Sequence, residues 1–357
     1  MRIKIGGSSD PFRYIVNILS FLLEGITPRC HSAFTVQSAS YRCESAFIRG
    51  FYGISHTHIN KTPDIGKRCS QPVSLVLYNY WIMPASPSVT LILIDGLRPD
   101  GLLQAHTPTL DLLIASGAHT LSARTVMPSI TLPCHVSLFL GVPPEQHGVT
   151  TNLWKPRQYT ADSNPAPTGL VEALKAAGKV TAFFYNWEEL RDVSRPDSLS
   201  ASFFLNGSKD PHGTGDLELA ELAAGWLASH PVDFAFIYLG YTDTAGHDYG
   251  WMSEHYLMAI ANTDRCIDNL LSVLPEDGTL IVTSDHGGHD QSHGTDCDED
   301  MIVPFIICGP GIPAGYRIEH PVNITDIAPT IASLLGILPP SGWIGQPLKF
   351  GLSADVS

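Results

Sequence analysis

The sequence predicts an α/β protein with a mainly parallel central sheet covered by helices on both faces. Three observations predict it. Short apolar or β-branched runs, typical of strands buried on both faces, alternate with segments of helical period. Three of those runs lead into acids: Val89–Ile94 into Asp95, Asp233–Leu239 into Asp243, and Leu280–Thr283 into Ser284, Asp285 and His286. Glycines follow each acid or precede it closely, where the backbone has to turn away from the sheet. Strands of an open α/β sheet deliver functional groups at their carboxyl ends, so the three acids are expected at one crevice.

Composition bounds what such a protein does. The chain has 357 residues, 44% of them hydrophobic, which is ample for a core. A net charge of −14 argues against binding a nucleic-acid polymer, because phosphate contacts need clustered Lys and Arg. The charge is uneven: residues 1–82 hold nine Lys/Arg against four Asp/Glu, and residues 83–357 hold twelve against thirty-one. Seven cysteines without regular spacing form neither a disulfide framework nor a CxxC metal site. No stretch reaches the ~18 apolar residues of a transmembrane segment. The favoured location is cytoplasmic, with a periplasmic or secreted one left open, as is the oligomeric state.

Residues 1–82 show no sustained period of 2 or 3.6 and are read as an N-terminal extension outside the folded domain, with Met83 as the expected true start. The folded domain then spans 83–357. Its first strand is Val89–Ile94, followed by Asp95 and Gly96. Thr107 is expected to cap a helix that Pro108 opens. Ala118–Thr125 reads as a strand. Pro133 is expected at the start of the next helix, which Gly141 ends, so Thr131 either caps that helix or faces an anion at its N-terminus. The loop after Gly141 carries Asn152.

Thr168–Ala177 is a helix, Val180–Tyr185 a strand, and 186–213 an irregular stretch suited to a pocket wall. Thr214–Ser229 is a helix and Asp233–Leu239 a strand. Asp243 and His247 share one face if a turn of helix follows that strand. Glu254–Leu274 is a long helix, Val303–Cys308 a final strand and Thr325–Leu335 a final helix. Three acids at strand ends, each joined by His or a hydroxyl at a helix start, suit a divalent ion that accepts both oxygen and nitrogen donors.

The ordered motifs resemble the alkaline phosphatase superfamily, and within it the type I phosphodiesterase/nucleotide pyrophosphatase family, over roughly residues 88–349. They are I-D-G-L-R-P-D at Asp95, P-x-x-T-x-P-x-H at Thr131, T-D-x-x-G-H at Asp243 and His247, S-D-H-G at Asp285 and His286, H-G-T-D at His293, and the segment from Asp326 to Ile337. The resemblance implies an alkaline phosphatase-like fold and a single catalytic domain. It also implies two divalent metal ions, Zn²⁺ being expected: one on Asp243, His247 and His293, the other on Asp95, Thr131, Asp285 and His286. Thr131 is implied as the nucleophile and Asn152 as the amide that binds a phosphoryl oxygen.

The expected reaction is metal-dependent hydrolysis of a phosphodiester or pyrophosphate bond in a small, nucleotide-like substrate, through a phospho-threonine intermediate. A phosphomonoesterase or phosphotransfer mutase of the same superfamily is the alternative, and a non-catalytic metal-binding protein a distant one. Two departures from the family pattern stand out. Cys134 occupies a position where the family often has Asn, and it reads as a small buried residue rather than a thiol nucleophile. His286 and His293 are close in sequence, so the long insertion many relatives carry there is missing. His289 reads as a turn residue or a support for the ligands. Trp154, Trp187, Tyr241 and Trp251 are candidates to stack on a flat leaving group or to fill the core. A sulfatase is not expected, because the C-x-P-x-R segment is missing.

Overall fold

A computed structural model describes residues 87–153, 168–207 and 213–350. The N-terminal extension, the Met83 start, Trp154 and the basic residues Lys155 and Arg157 fall outside these ranges. In chain order the strands are β1 (Val89–Ile94), β2 (Ala118–Arg124), β3 (Thr181–Tyr185), β4 (Ala201–Phe204), β5 (Phe234–Leu239), β6 (Thr279–Thr283), β7 (Ile302–Cys308) and β8 (Tyr316–Arg317). The helices are α1 (Pro99–Gln104), α2 (Pro108–Ser116), α3 (Thr131–Leu140), α4 (Pro144–His147), α5 (Leu170–Ala176), α6 (Thr214–Leu227), α7 (Tyr241–Tyr249), α8 (Glu254–Leu271), α9 (Asp298–Met301) and α10 (Ile327–Leu334). None of the described helices is long and apolar enough to cross a membrane.

The strands form one sheet in the order β4-β3-β5-β1-β6-β7-β2-β8. All run parallel except β7, which is antiparallel to both β6 and β2. β1, β3, β5 and β6 are buried along their whole length, as expected where helices cover both faces. Alternate side chains split the core in two. Leu91, Leu93, Phe183, Phe236 and Ile281 pack with α3 and α10 on one face, and Ile92, Ile94, Phe184, Ile237 and Val282 with α6 and α8 on the other. The acid-bearing strands β5, β1 and β6 are neighbours at the sheet centre, with Ile94 beside Leu239 and Leu93 beside Thr283.

Several local expectations are revised by contacts from afar. Thr107 does sit before Pro108, but its hydroxyl donates to the Leu102 carbonyl instead of capping. The cap comes from Asp264 on α8, whose carboxylate accepts the Thr109 and Leu110 amides at 3.2 and 2.8 Å. Helix α3 begins at Thr131 rather than Pro133, with Ile130 as a cap residue whose side chain makes no hydrogen bond. The stretch 186–213 contains the edge strand β4 and a 3₁₀ turn at Glu188–Asp192.

Candidate active site

Three sheet-centre strands supply the acids. Asp95 follows β1 directly, and its amide still pairs with the Leu239 carbonyl at 3.0 Å. Gly96 then turns at φ +68°, and a Cβ there would lie 3.0 Å from the Asp243 backbone, so glycine is required for the two acidic segments to approach. Its amide donates to Asp285 Oδ1 at 3.2 Å, and the Leu97 amide to Ser284 Oγ at 2.9 Å, which ties the ends of β1 and β6 together. Beyond β5, α7 brings Asp243 and His247 to one face, His247 Nε2 lying 3.5 Å from Asp243 Oδ2.

His286 is central to the cluster. Its Nε2 lies 3.3 Å from Asp95 Oδ1, 3.4 Å from Asp285 Oδ2 and 3.2 Å from Thr131 Oγ1. Its ring stacks on that of His293 at a 3.8 Å centroid separation, and His293 Nε2 is 3.7 Å from Asp243 Oδ1. All seven expected ligand residues thus converge. Only His247 stands at the solvent edge, with 43% of its side chain exposed.

Two features show that this donor set fits divalent cations. Asp95 Oδ1, Asp243 Oδ1 and Asp285 Oδ2 are buried without a hydrogen-bond partner, which is costly for a carboxylate unless a cation completes it. The three histidines are also oriented alike. Nδ1 of His247, His286 and His293 donates to the carbonyls of Gln291, Gly287 and Ser129 at 3.0, 2.8 and 2.8 Å. Each ring therefore turns its Nε2 toward the carboxylates, the arrangement by which ligating histidines are usually held. Asp95, Asp285 and His286 form one group whose donor atoms lie close enough to share an ion, and Asp243, His286 and His293 form another.

The electrostatics agree. Burial, followed by repulsion from Asp243, pushes the Asp285 carboxyl up to about 8. Burial, then Asp285 and Asp243, raises Asp95 well above the ordinary carboxylate range. Burial also lowers His293 to about 4, which keeps its ring neutral.

Thr131 is buried at the first turn of α3, its hydroxyl directed at His286 Nε2. Of the two readings of this helix start, the open end that could meet an anion is largely used up. The Leu132 amide donates to Asn152 Oδ1 at 2.8 Å, Pro133 has none to give, and the Cys134 amide bonds Ile130. Asn152 lines the cavity together with Thr131, and its NH₂ group takes no part in the bond to Leu132. The Cys134 thiol is fully buried, with its sulfur 3.1 Å from Thr125 Oγ1, and burial raises its pKa, so it is no nucleophile. His289 takes no place in either ligand group and pairs with Asp300.

Three further groups support the cluster, and the sequence singled out only two of them, His135 within the Thr131 motif and Trp251. The Tyr238 hydroxyl donates to Asp95 Oδ2, fixing that carboxylate from behind. His135 donates from Nδ1 to the Thr131 carbonyl at 2.8 Å, and burial lowers its pKa to about 3. Trp251 is buried beneath the histidines, donating to the Gly96 carbonyl at 2.9 Å, and so cannot stack on a substrate. Tyr238 could have been suspected only from its position one residue before the end of β5.

A cavity of about 190 Å³ opens over the cluster. Asp95, Thr131, Asn152, Asp243, His247 and His293 form part of its wall, and Asn186, Trp187, Asp216 and Tyr241 another part. Asp216 is buried and accepts the Asn186 side chain at 2.7 Å and the Gly240 and Tyr241 amides at 3.0 and 3.1 Å, which fixes that wall. Among the described residues, no Lys or Arg lines the cavity.

An acid- and histidine-lined pocket with a buried hydroxyl, set at the carboxyl edge of this sheet, defines a protein of the alkaline phosphatase-like class. Human ectonucleotide pyrophosphatase/phosphodiesterase 5 has the same fold at a TM-score of 0.60, with 18% identity over 73% of this chain and 96% of that one. The chain belongs to the type I phosphodiesterase / nucleotide pyrophosphatase family, whose sequence model matches residues 89–302. It is similar to human ectonucleotide pyrophosphatase/phosphodiesterase family member 1, at 28% identity over 57% of this chain and 24% of that protein. It is also similar to human bis(5'-adenosyl)-triphosphatase ENPP4, at 26% identity over 70% of this chain and 54% of that protein. The chain thus spans about a quarter to a half of these curated relatives.

Proposed function

We propose that the protein hydrolyses phosphodiester or pyrophosphate bonds of small, nucleotide-like substrates by way of a phospho-threonine on Thr131. One observation carries the reading: three orphaned carboxylate oxygens and three oriented imidazoles form one cluster beside a cavity, and its His286 meets the Thr131 hydroxyl. A carboxylate–imidazole cluster with no cation of its own is a poor place for an anionic phosphate until divalent ions reverse its charge. Asp243, His247 and His293 would hold one ion; Asp95, Asp285, His286 and the Thr131 oxygen would hold the other, with Zn²⁺ suited to this nitrogen and oxygen set. When bound, such a pair offsets the charge of the attacking and leaving oxygens of an in-line displacement.

The remaining chemistry belongs to the chain. A threonine hydroxyl is weak as a nucleophile at neutral pH, and burial at the start of α3 fixes it facing the cavity, where it needs no reorganisation to attack. The phosphoryl group passes to Thr131 Oγ1 as one substituent leaves, and water then cleaves the phospho-threonine bond. The Asn152 NH₂ would hold a non-bridging oxygen, as an oxyanion-hole donor does. Trp187 and Tyr241 give the retained or leaving substituent two aromatic surfaces.

The absence of Lys and Arg among the described lining residues favours a diester over a monoester. A monoester brings close to two charges at neutral pH and a diester one. The test is a pair of matched aryl substrates assayed on zinc-loaded protein. A higher kcat/KM for the diester supports the reading. A tenfold preference for the monoester, about 1.4 kcal/mol in the barrier, would assign the protein to the phosphomonoesterase alternative.

A further inference from the structure

The connection between β6 and β7 carries Asp285, His286 and His293, and it closes on a carboxylate outside the ligand set. Asp300 is fully buried. Its Oδ1 accepts His289 Nδ1 at 2.7 Å, and its Oδ2 accepts the Thr295 amide and hydroxyl, both at 2.8 Å. Its backbone carbonyl accepts the Gly287 amide at 2.8 Å, immediately after His286.

Between these anchors, His289 and Ser292 exchange two backbone hydrogen bonds of 2.9 Å, which turns the chain back sharply. Thr295 leads onward to the site: its carbonyl accepts the Ser129 hydroxyl at 2.7 Å, and the Ser129 carbonyl accepts Nδ1 of His293 at 2.8 Å. One buried carboxylate therefore grips both arms of the loop, the arm leaving His286 and the arm that follows His293.

His289, Cys297 and Asp300 stand close enough to form a third metal-ligand group. Its chemistry differs from that of the active-site groups. Both Asp300 oxygens are already taken by His289 and Thr295, and none of the three residues has an orphaned buried atom. These contacts make it a closed hydrogen-bonded clamp rather than an ion site.

We propose that Asp300 and His289 are positioning residues that set the divalent-ion affinity of the active site by fixing His286 and His293 in their ligating orientation. The proposal rests on the metal-site reading above. Supports of this kind typically change metal affinity by about ten- to a hundredfold. His289→Ala removes the imidazole donor to Asp300, whereas His289→Asn places an amide N–H near the same position. Asp300→Asn removes an acceptor from Thr295 and leaves the volume nearly unchanged.

The experiment measures Zn²⁺ affinity of the full chain by competition with a chromogenic chelator, beside the melting temperature of the ion-free protein and the kcat and KM of an aryl phosphodiester at saturating zinc. His289→Ala is expected to bind zinc at least about tenfold more weakly, with its ion-free melting temperature and zinc-saturated KM unchanged, and His289→Asn to recover the affinity. Asp300→Asn is expected to lose at least as much; should it fail to fold, the two His289 variants decide. Wild-type affinity in His289→Ala, or no recovery in His289→Asn, overturns the clamp while leaving the metal site standing. Wild-type protein that takes up no zinc, or Asp243→Ala protein that takes up as much as wild type, overturns the metal-site reading and the clamp with it.

Discussion

Removing divalent ions should destabilise this protein in a way that depends on pH, and the sign follows from the buried acids. Burial, then Asp243, raises Asp285 from 3.8 to about 8, and Asp95 moves in the same direction through burial, then Asp285 and Asp243. A carboxyl that holds its proton more tightly when folded contributes stability that is complete below its unfolded pKa and lost as pH rises through its folded pKa. Ion-free protein should therefore weaken between about pH 4 and pH 8, by at most roughly 1.4 kcal/mol per pH unit for each proton lost. The two acids interact, so their contributions belong to the pair and do not simply add.

Bound ions reverse the trend by stabilising the ionised carboxylates. Each ion present at a thousandfold its dissociation constant adds about 4 kcal/mol. Two ions would raise the melting temperature by roughly 15–30 °C for a domain of this size, at about 2–4 °C per kcal/mol. The assay is thermal unfolding of chelator-treated and zinc-loaded protein across that pH range. The gap should widen toward the alkaline end, where the ion-free protein is weakest. An ion-free melting temperature that is flat or rises with pH, or one that zinc does not move, would show that the buried acids are not held protonated in wait for ions.

Other outcomes follow from single residues. Asp243→Ala and His286→Ala should lower bound metal and abolish hydrolysis, as elemental analysis and assay of the purified variants would show, because each ion has few protein ligands to lose. Asn152→Ala should reduce kcat by about a hundred- to a thousandfold with little change in metal content, the cost of one oxyanion donor. Tyr238→Phe should keep the fold and weaken zinc binding, read by chelator competition, since only the hydroxyl that fixes Asp95 is lost. Gly96→Ala should fail to assemble the site or melt at a distinctly lower temperature, because it forces a Cβ against Asp243 at a left-handed φ.

Much of the site was legible in the sequence because its parts are local. Asp95 and Asp285 terminate apolar strands, Asp243 and His247 lie one helical turn apart, and the order of the motifs is preserved. Each pattern carries its own geometry, and the parallel sheet places the strand ends together. What was illegible depends on contacts between distant segments. Nothing near Thr107 shows that its helix is capped by Asp264, and nothing near Leu132 shows that Asn152 occupies its amide. Tyr238 reads as a core residue until its hydroxyl is found on Asp95, and Asp300 as one of several surface acids until it is found buried. The edge strands β4 and β8 span four and two residues, too short for a period to show. The reversed direction of β7 is likewise not written in the composition of the strand.

The central claim is that Thr131, within this cluster, is the residue that breaks the phosphate ester. Thr131→Ala tests it most directly, assayed beside wild type on the same zinc-loaded aryl diester and monoester, with the circular dichroism spectrum and zinc content of each protein measured. An intact fold, zinc still bound by the six Asp and His ligands, and a loss of at least about a thousandfold in kcat on both substrates are expected, as when a covalent nucleophile is removed. A folded, zinc-containing Thr131→Ala protein that hydrolyses the diester within tenfold of wild type, about 1.4 kcal/mol in the barrier, would contradict the claim.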